Sequence, residues 1–427
     1  MEVILFRKIV DLKKDVAVVD IGTNTVCAAV VRGQSSNSED ELGIGCNLRV
    51  LGVSYQLAKG IKRNSITDMD EFEETLIGTI LAAGKEAKKP VKSVFVALPA
   101  WVLSSYVATA SIDIRNLPVD SVHVKSLANF DTSKYVDNSC DVIQIFPISY
   151  SVDGIHEVMD PVGMVGDKLS AEFHIIAAQS AIVKNITYCL NQNNIDVVGF
   201  APSTYASALS IALDNEVLSG VTIIDIGGAT TSIACVYEGI LLYLGAINIG
   251  SQNITNDIAT ALRTTKSNAE RLKILYGVSI GQSIEEEPIL VSRVDEYGDE
   301  SMQTISKSYL DLIISSRLEE ILDLAQNHIL ECGADKALYQ RIIVTGGGSR
   351  LSGLSEFIKA KRYFSDMAVR LGKPICAAGS HDFVKTASFA SAAGCAVYRL
   401  SELPHKMTAC VDKSLWQRII TWFRRGV

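Results

Sequence analysis

What most constrains this chain is a repeat. Val16-Ala-Val-Val-Asp20-Ile-Gly22-Thr-Asn-Thr25 and Val221-Thr-Ile-Ile-Asp225-Ile-Gly227-Gly228-Ala-Thr230 are built alike and lie 205 residues apart. In each, apolar residues rich in β-branched types predict a buried strand that ends at an aspartate. A glycine turn then leads into threonine-bearing sequence that starts another strand. One Asp-x-Gly at a strand end is commonly a tight turn and no more. Two copies at half-chain spacing point to two related lobes with a cleft between them. Backbone N–H groups at glycine turns can hold phosphate oxygens, and a carboxylate at each strand end can hold a magnesium ion or its waters. The repeat predicts one shared phosphate clamp.

Length and composition fit that picture. A chain of 427 residues has room for two to four domains, each with its own core. The apolar share of 48% and charged share of 21% are those of an ordinary globular protein. A net charge of −8 argues against nonspecific nucleic-acid binding, and no nucleic-acid partner is expected. The nine cysteines fall singly, which predicts a reduced, cytosolic chain with buried thiols and no zinc site. The six histidines are dispersed, with no His-Glu-x-x-His, so surface or packing roles are expected of them. Near the start, Arg7, Lys8, Lys13 and Lys14 follow apolar residues without a small-residue cleavage site, so no signal peptide is predicted. No apolar run reaches the roughly 18 residues of a spanning helix, and no membrane crossing is expected.

Along the chain, 15–32 reads as two strands around the first turn and 48–57 as a third, with a polar loop at 34–41. Thr67, with Asp70 three residues on, predicts a helix start; Met69, Phe72, Leu76, Ile77, Ile80 and Leu81 would share its buried face, and Pro90 would stop it. Residues 94–98 read as a buried strand. From 100 to 172 alternating segments flank a polar stretch, which predicts a small α+β insertion. A strand at 173–178 and a helix at 180–192 are expected to rejoin the first lobe, and a helix at 201–213 to lead into the second. Helices are expected at 254–262, 267–276, 309–330, 351–361 and 386–398, irregular chain at 279–299, and a strand at 341–345. The expected division is a first-lobe core (15–99, 173–200 and 386–400) and an insertion (100–172), then a second-lobe core (201–252 and 311–385) with a subdomain (253–310). A tether (401–412) and a terminal element (413–427) complete the chain.

Thr345-Gly346-Gly347-Gly348-Ser349 adds a third glycine turn after a β-branched strand, where bare backbone lets a flat base or ribose lie close. Three such turns in this order resemble the actin-like ATPases, a superfamily that includes sugar kinases, chaperone ATPases and exopolyphosphatases. The resemblance implies an α/β chain with the actin-like (ribonuclease H-like) duplicated two-lobe fold and a small α+β insertion subdomain in lobe 1. A finer resemblance is to the bacterial cell-division protein FtsA family. It is carried by Lys59-Gly60-Ile61, Asp160-Pro161-Val162-Gly163-Met164, Ala269-Glu270-Arg271-Leu272-Lys273 with Gly277, and the terminal segment. It implies ATP and Mg2+ as cofactors, with Asp20 and Asp225 serving the metal through water. Gly22, Thr23, Asn24, Thr25, Gly227, Gly228 and Thr230 would serve the phosphates, and Gly346, Gly347, Gly348 and Ser349 the base. Glu270 and Lys273 would reach ribose and adenine, although a solvated i,i+3 pair would read the same way.

Two departures bear on chemistry. Where the family usually has Asp-x-Gly-Gly-Gly-Thr followed by an acid, this chain has Ala229 and later Ser232. The alanine is tolerable only where its φ stays negative. At the position where relatives carry a Gln or Glu that orients the attacking water, alignment places Ala201, before Pro202. A methyl group cannot orient water, so tight ATP binding with slow or negligible hydrolysis is expected.

The last segment has a helical period. Leu415, Trp416, Ile419, Ile420, Trp422 and Phe423 fall within about 160° of arc, with Lys413, Ser414, Gln417, Arg418, Thr421, Arg424 and Arg425 on the rest. Two tryptophans beside four cations suit the boundary between acyl chains and anionic headgroups. A helix docked on the protein body, or a partner-binding helix, remains an alternative. The FtsA resemblance implies a protein that self-assembles into filaments on the inner face of the cell membrane at the septum. It would bind the C-terminal peptide of FtsZ in 253–310, with Arg293 and Lys307 as cationic contacts, and recruit later division proteins. The alternatives are an exopolyphosphatase or sugar kinase, or a type IV pilus assembly adaptor of the same superfamily.

Overall fold

The two aspartate runs fold into two sheets of matching design. The computed structural model describes residues 14–34, 47–62, 64–158, 160–278, 288–294, 300–331, 341–379 and 381–401. In the first lobe, β1 (Asp15–Ile21) and β2 (Thr25–Gln34) are antiparallel around the first glycine turn, and β3 (Asn47–Leu57) extends the hairpin. A short ribbon, β4 (Ile61–Lys62) and β5 (Ser65–Ile66), leads into α1 (Met69–Glu86), and β6 (Ser93–Leu98) returns parallel to β1. The insertion follows. Its β7 (Leu103–Pro118), α2 (Ser121–Ala128), β8 (Cys140–Val152), β9 (Ile155–Val158) and β10 (Val165–Gln179) make a sheet of order β7-β10-β8-β9 with α2 against it. Through α3 (Ser180–Gln192) the chain returns to β11 (Asp196–Pro202), parallel to β6.

The second lobe repeats the plan. After α4 (Ser203–Ile211) and α5 (Asp214–Ser219), β12 (Val221–Ile226) and β13 (Thr231–Tyr237) are antiparallel around the second turn, and β14 (Ile240–Ile247) extends them. Then come α6 (Ser251–Leu262), α7 (Lys266–Tyr276), the hairpin β15 (Pro288–Val294) and β16 (Glu300–Ser306), and the long α8 (Lys307–Glu331). β17 (Arg341–Thr345) runs parallel to β12, as β6 does to β1. After α9 (Leu354–Ala360), β18 (Ala368–Leu371) closes the order β14-β13-β12-β17-β18. The chain recrosses through β19 (Ala377–Ala378) to α10 (Ala390–Leu400).

Layering explains the sequence pattern. Central strands are covered on both faces, so Val18, Val19 and Val96 in one sheet and Ile223, Ile224 and Ile343 in the other are all buried. Phe72, Leu76 and Ile80 of α1 are buried against the first sheet, each burial contributing about 1.5–3 kcal/mol. Between the lobes α4 packs on α10, and a Cβ at Gly394 would collide with the Ala206 carbonyl, which is why that helix is built of small residues.

Several expectations shift. The cap of α1 is Asp68, whose carboxylate accepts from the Glu71 N–H, rather than Thr67. Leu81 is exposed, one step off the buried face. Phe173 to Ala178 belong to β10 and pair with β7 and β8, so this strand stays in the insertion; its run of buried apolar residues does not reveal which sheet it joins. β11 continues through Pro202, and the helix expected from 201 begins at Ser203. The region expected to be irregular at 279–299 contains β15, marked by the alternation of buried Ile289 and Val291 with exposed Leu290. β19 pairs with β3 in the first sheet, within a stretch assigned to the second lobe. Residues 402–427, and with them the terminal segment, lie outside the described residues.

Candidate functional site

The site is built where β1 and β12 end. In both turns the glycine two residues past the aspartate donates to the carbonyl of the threonine five residues past it: Gly22 to Thr25 at 3.0 Å and Gly227 to Thr230 at 2.8 Å. A Cβ at either glycine would stand 2.8 or 2.9 Å from that carbonyl, so both turns require glycine. The turns then meet. Ala229 N–H donates to Thr23 Oγ1 at 3.1 Å, and Ala229 keeps a negative φ, the condition for tolerating a side chain there.

Together these turns line a cleft of about 380 Å³. Asp20, Gly22, Thr23, Asn24, Thr25, Asp225, Gly227, Gly228, Thr230, Glu270, Lys273, Gly346, Gly347 and Gly348 all face it. Ser349 does not: its hydroxyl turns inward to the Gly346 carbonyl at 2.8 Å. Gly346 sits at φ +85°, its backbone against the Asp225 carboxylate, where no side chain would fit. Gly347 instead presents bare backbone to open space, since a Cβ there would meet only Ser388 Oγ at 3.8 Å.

Both aspartates hold protons more tightly than usual. Burial, then the charge of Asp225, pushes Asp20 up to about 7, with Ser391 opposing. Burial pushes Asp225 up to about 6, against a hydrogen bond of 3.0 Å from Ser207. Each retains a partly open face on the cleft. Two carboxylates with so little neutralising charge nearby suit a divalent cation that keeps several of its waters. Ser391 lies buried beside Asp20 and lines the same cleft. The donor set and the bare glycine backbone fit a magnesium–nucleotide.

At the other end, Glu270 and Lys273 form a worked network rather than a solvated pair. Lys273 is buried; its Nζ lies 2.7 Å from Glu270 and donates to Thr255 Oγ1 at 2.9 Å and to the Ser251 carbonyl at 3.2 Å. Thr255 in turn donates to Glu270 at 2.5 Å. Ile254, Ile274, Leu351 and Arg350 complete this end. Sequence reasoning missed those four; Arg350, two residues after the triple glycine, was the most findable. It also missed Ser203. Ala201 is buried inside the first sheet, and Ser203 is the residue that reaches the cleft from the start of α4. Ser232, directly across the ladder from Asp225, lines the cleft.

A family model described as cell division protein FtsA matches residues 222–394, and one described as the SHS2 domain inserted in FtsA matches 102–177. The cell division protein FtsA of Agrobacterium fabrum is 30% identical over 386 residues, covering 90% of this chain and 86% of its own length. The chain belongs to the FtsA family. FtsA of Escherichia coli is 25% identical over 392 residues, covering 88% of this chain and 92% of its own. Among solved structures, the PilM-PilN type IV pilus biogenesis complex aligns with a TM-score of 0.63 at 15% identity, covering 91% of this chain and 100% of that one. MreB5 of Spiroplasma citri bound to ADP aligns with a TM-score of 0.52 at 14% identity, covering 90% and 96%. The fold is therefore the actin-like α/β fold, and its insertion is the SHS2 domain of FtsA, which coincides with the sheet β7-β10-β8-β9.

Away from the cleft of this FtsA-family chain, Arg293 on β15 and Lys307 at the start of α8 are half-buried. The groove found in that region runs between α6 and α8, lined by Asp257, Thr260, Ala261, Ile313, Ser316, Arg317 and Glu320. Leu415, Trp416, Arg418, Ile419, Ile420, Trp422, Phe423, Arg424 and Arg425 lie outside the described residues. Among the described residues no helix is long and apolar enough to cross a membrane.

Proposed function

We propose that this FtsA-family chain binds ATP with Mg2+ between its lobes, self-assembles on the inner face of the cell membrane, and tethers FtsZ filaments there at the septum. What carries the nucleotide half of this reading is that both aspartate turns, the triple-glycine turn and the Glu270–Lys273 pair line one cleft. Asp20 and Asp225 would hold the ion through its waters. Gly22, Thr23, Asn24, Thr25, Gly227, Gly228 and Thr230 would receive phosphate oxygens, and Gly346 to Gly348 the sugar and base. When bound, the ion supplies positive charge against the phosphates and the two carboxylates. Glu270, fixed by Thr255 and Lys273, would accept a hydrogen bond from ribose.

Hydrolysis should be slow or negligible. The groups that reach the phosphate end from α4 and β13 are the hydroxyls of Ser203 and Ser232, which are poor bases for activating water. The nucleotide then serves as a brace between lobes. Hydrolysis at chaperone-like rates by the purified protein, abolished in Asp225→Ala, would overturn this part.

Membrane attachment rests on the terminal sequence. Each cation near an anionic leaflet adds up to about 1 kcal/mol, so one helix attaches reversibly and a polymer multiplies anchors. The FtsZ C-terminal peptide would dock in 253–310 and its flanking α8, and later division proteins would join the assembled filament. The deciding experiment mixes FtsZ polymers, anionic vesicles and the full chain with ATP, with and without residues 413–427. Recruitment that disappears on truncation supports the reading; vesicle binding unchanged by truncation sinks the anchor.

A further inference from the structure

A ring of hydrogen bonds across the cleft mouth gives two unassigned asparagines a role. The ribbon β4–β5 stands apart from both main sheets. Its base is fixed: Gly60 sits at φ +71°, its N–H donates to Glu71 at 3.2 Å, and its carbonyl accepts from Thr67 N–H at 2.7 Å. At its tip Asn64, at φ +58°, reaches across to the second lobe and donates through Nδ2 to Asn248 Oδ1 at 2.9 Å. A left-handed backbone costs asparagine less than most residues, which suits it to that tip.

Asn248 belongs to the segment that holds the second phosphate turn. Just beyond it, Ser251 N–H donates to the Gly227 carbonyl at 2.9 Å and Gln252 N–H to the Gly228 carbonyl at 2.8 Å. The first turn is tied in from both sides. Gln252 Nε2 donates to Asn24 Oδ1 at 3.2 Å, and Ala58 N–H, two residues before Gly60, donates to the Asn24 carbonyl at 2.9 Å. With Ala229 N–H on Thr23, the ring closes around the place where phosphates would enter.

We propose that Asn64 and Asn248 are positioning residues, the two halves of a latch that holds the phosphate turns together and sets how fast bound nucleotide leaves. This rests on reading the cleft as a nucleotide site. The latch is built to open. Asn64 Oδ1 is buried without a hydrogen-bond partner, so the amide is only half satisfied and one hydrogen bond carries the contact. Because the tip's partner is attached to the second turn, a phosphate that reorders that turn also moves Asn248.

The test is nucleotide release from the full chain, read as decay of a fluorescent ATP analogue chased with excess ATP. Asn64→Ala and Asn248→Ala should each release roughly two- to tenfold faster, the range one net hydrogen bond supplies, and the double variant no faster than either single one. Joining Asn64→Cys to Asn248→Cys with a short, thiol-cleavable bis-thiosulfonate should slow release, and reductant should restore it. Each single-cysteine variant carried through the same treatment controls for the native thiols. If the wild type binds the analogue but all these rates match, or the two alanine effects simply add, the latch is wrong. If the wild type binds no nucleotide, the nucleotide reading itself has failed.

Discussion

Superposed by their ladders, the two aspartate turns are the same object with different residues three, four, six and seven positions past the aspartate. Position zero is Asp20 or Asp225, position two Gly22 or Gly227, and position five Thr25 or Thr230, all in matching hydrogen bonds. They diverge between: Thr23 and Asn24 in the first lobe face Gly228 and Ala229 in the second. They diverge again at position seven, where Cys27 pairs across the ladder with Asp20 and Ser232 with Asp225. The strand beside each turn differs too, β6 leading into Pro99 and β17 into Gly346. The lesson is a division of labour. The first lobe supplies side chains that protrude into the cleft, and the second supplies backbone that receives them and leaves room for a ligand.

The largest effect should come from filling that receiving surface. A Cβ at Gly228 would stand 2.7 Å from Asn24 Cβ and 3.3 Å from Thr23 Oγ1, so Gly228→Ala must push the two turns apart. Nucleotide affinity should fall by about tenfold or more, and thermal stability should fall as well. Gly347→Ala separates the two effects. Its Cβ meets nothing closer than 3.8 Å but stands in the cleft, so stability should hold while affinity drops. Equal stability losses in both variants, measured by urea unfolding beside nucleotide titration, would break the distinction between a receiving surface and a mere turn.

A smaller effect tests the knob. Thr23→Val removes the hydroxyl that takes Ala229 N–H and should cost about 1 kcal/mol, with Thr23→Ser close to wild type. With saturating nucleotide the Thr23→Val deficit should shrink, because a phosphate oxygen can accept the same N–H. A deficit that grows with ligand would mean that the Thr23 hydroxyl, and not its backbone N–H alone, serves the ligand rather than the opposite turn.

The carboxylates give a pH signature that distinguishes the lobes. Unfolded, each aspartate titrates near 3.8; folded, Asp20 and Asp225 titrate near 7 and 6. The folded chain therefore holds more protons across that window, and stability without nucleotide should decline as pH rises from about 4 to about 7. Asp20→Asn should remove most of the slope above pH 6, and Asp225→Asn should spare more of it. Melting temperatures taken across the window decide; matching profiles for the two variants would make the sites equivalent, and variants parallel to the wild type would mean that neither carboxylate carries the slope.

Much of this was legible in the sequence because the signal was repeated. Asp20 and Asp225 mark strand ends by type and position, and the glycines after them report turns that no other residue can make. The Ala269-to-Lys273 run pointed by resemblance to Glu270 and Lys273, which line the cleft, but not to Thr255, whose contact with them depends on α6 lying beside α7. Sheet membership was the blind spot. Phe173 to Ala178 are buried whichever sheet they join, so their composition cannot say that β7 and β8 are their partners. The hairpin β15–β16 was hidden for a related reason: alternation survives only in Ile289, Leu290 and Val291, amid acidic sequence. Ser203 was missed by two positions because β11 extends through Pro202, which a strand end tolerates better than a helix interior.

The smallest expected effect concerns the last point of divergence. Cys27 is buried, and burial with the charge of Asp20 raises its thiol well above the ordinary range, so in the native chain it should resist thiol reagents. Cys27→Ser gives the first turn the hydroxyl that the second already has at Ser232. A serine hydroxyl is a better donor than a thiol, so it should favour ionised Asp20 and move the pH window slightly toward that of Asp225. The change should stay below that of Asp20→Asn, at a stability cost of about 1 kcal/mol for burying a more polar group. A Cys27→Ser profile that loses as much slope as Asp20→Asn would mean the sulfur, rather than burial and the opposing carboxylate, holds Asp20 protonated. The asymmetry between the lobes would then lie in β2 and not in the cleft.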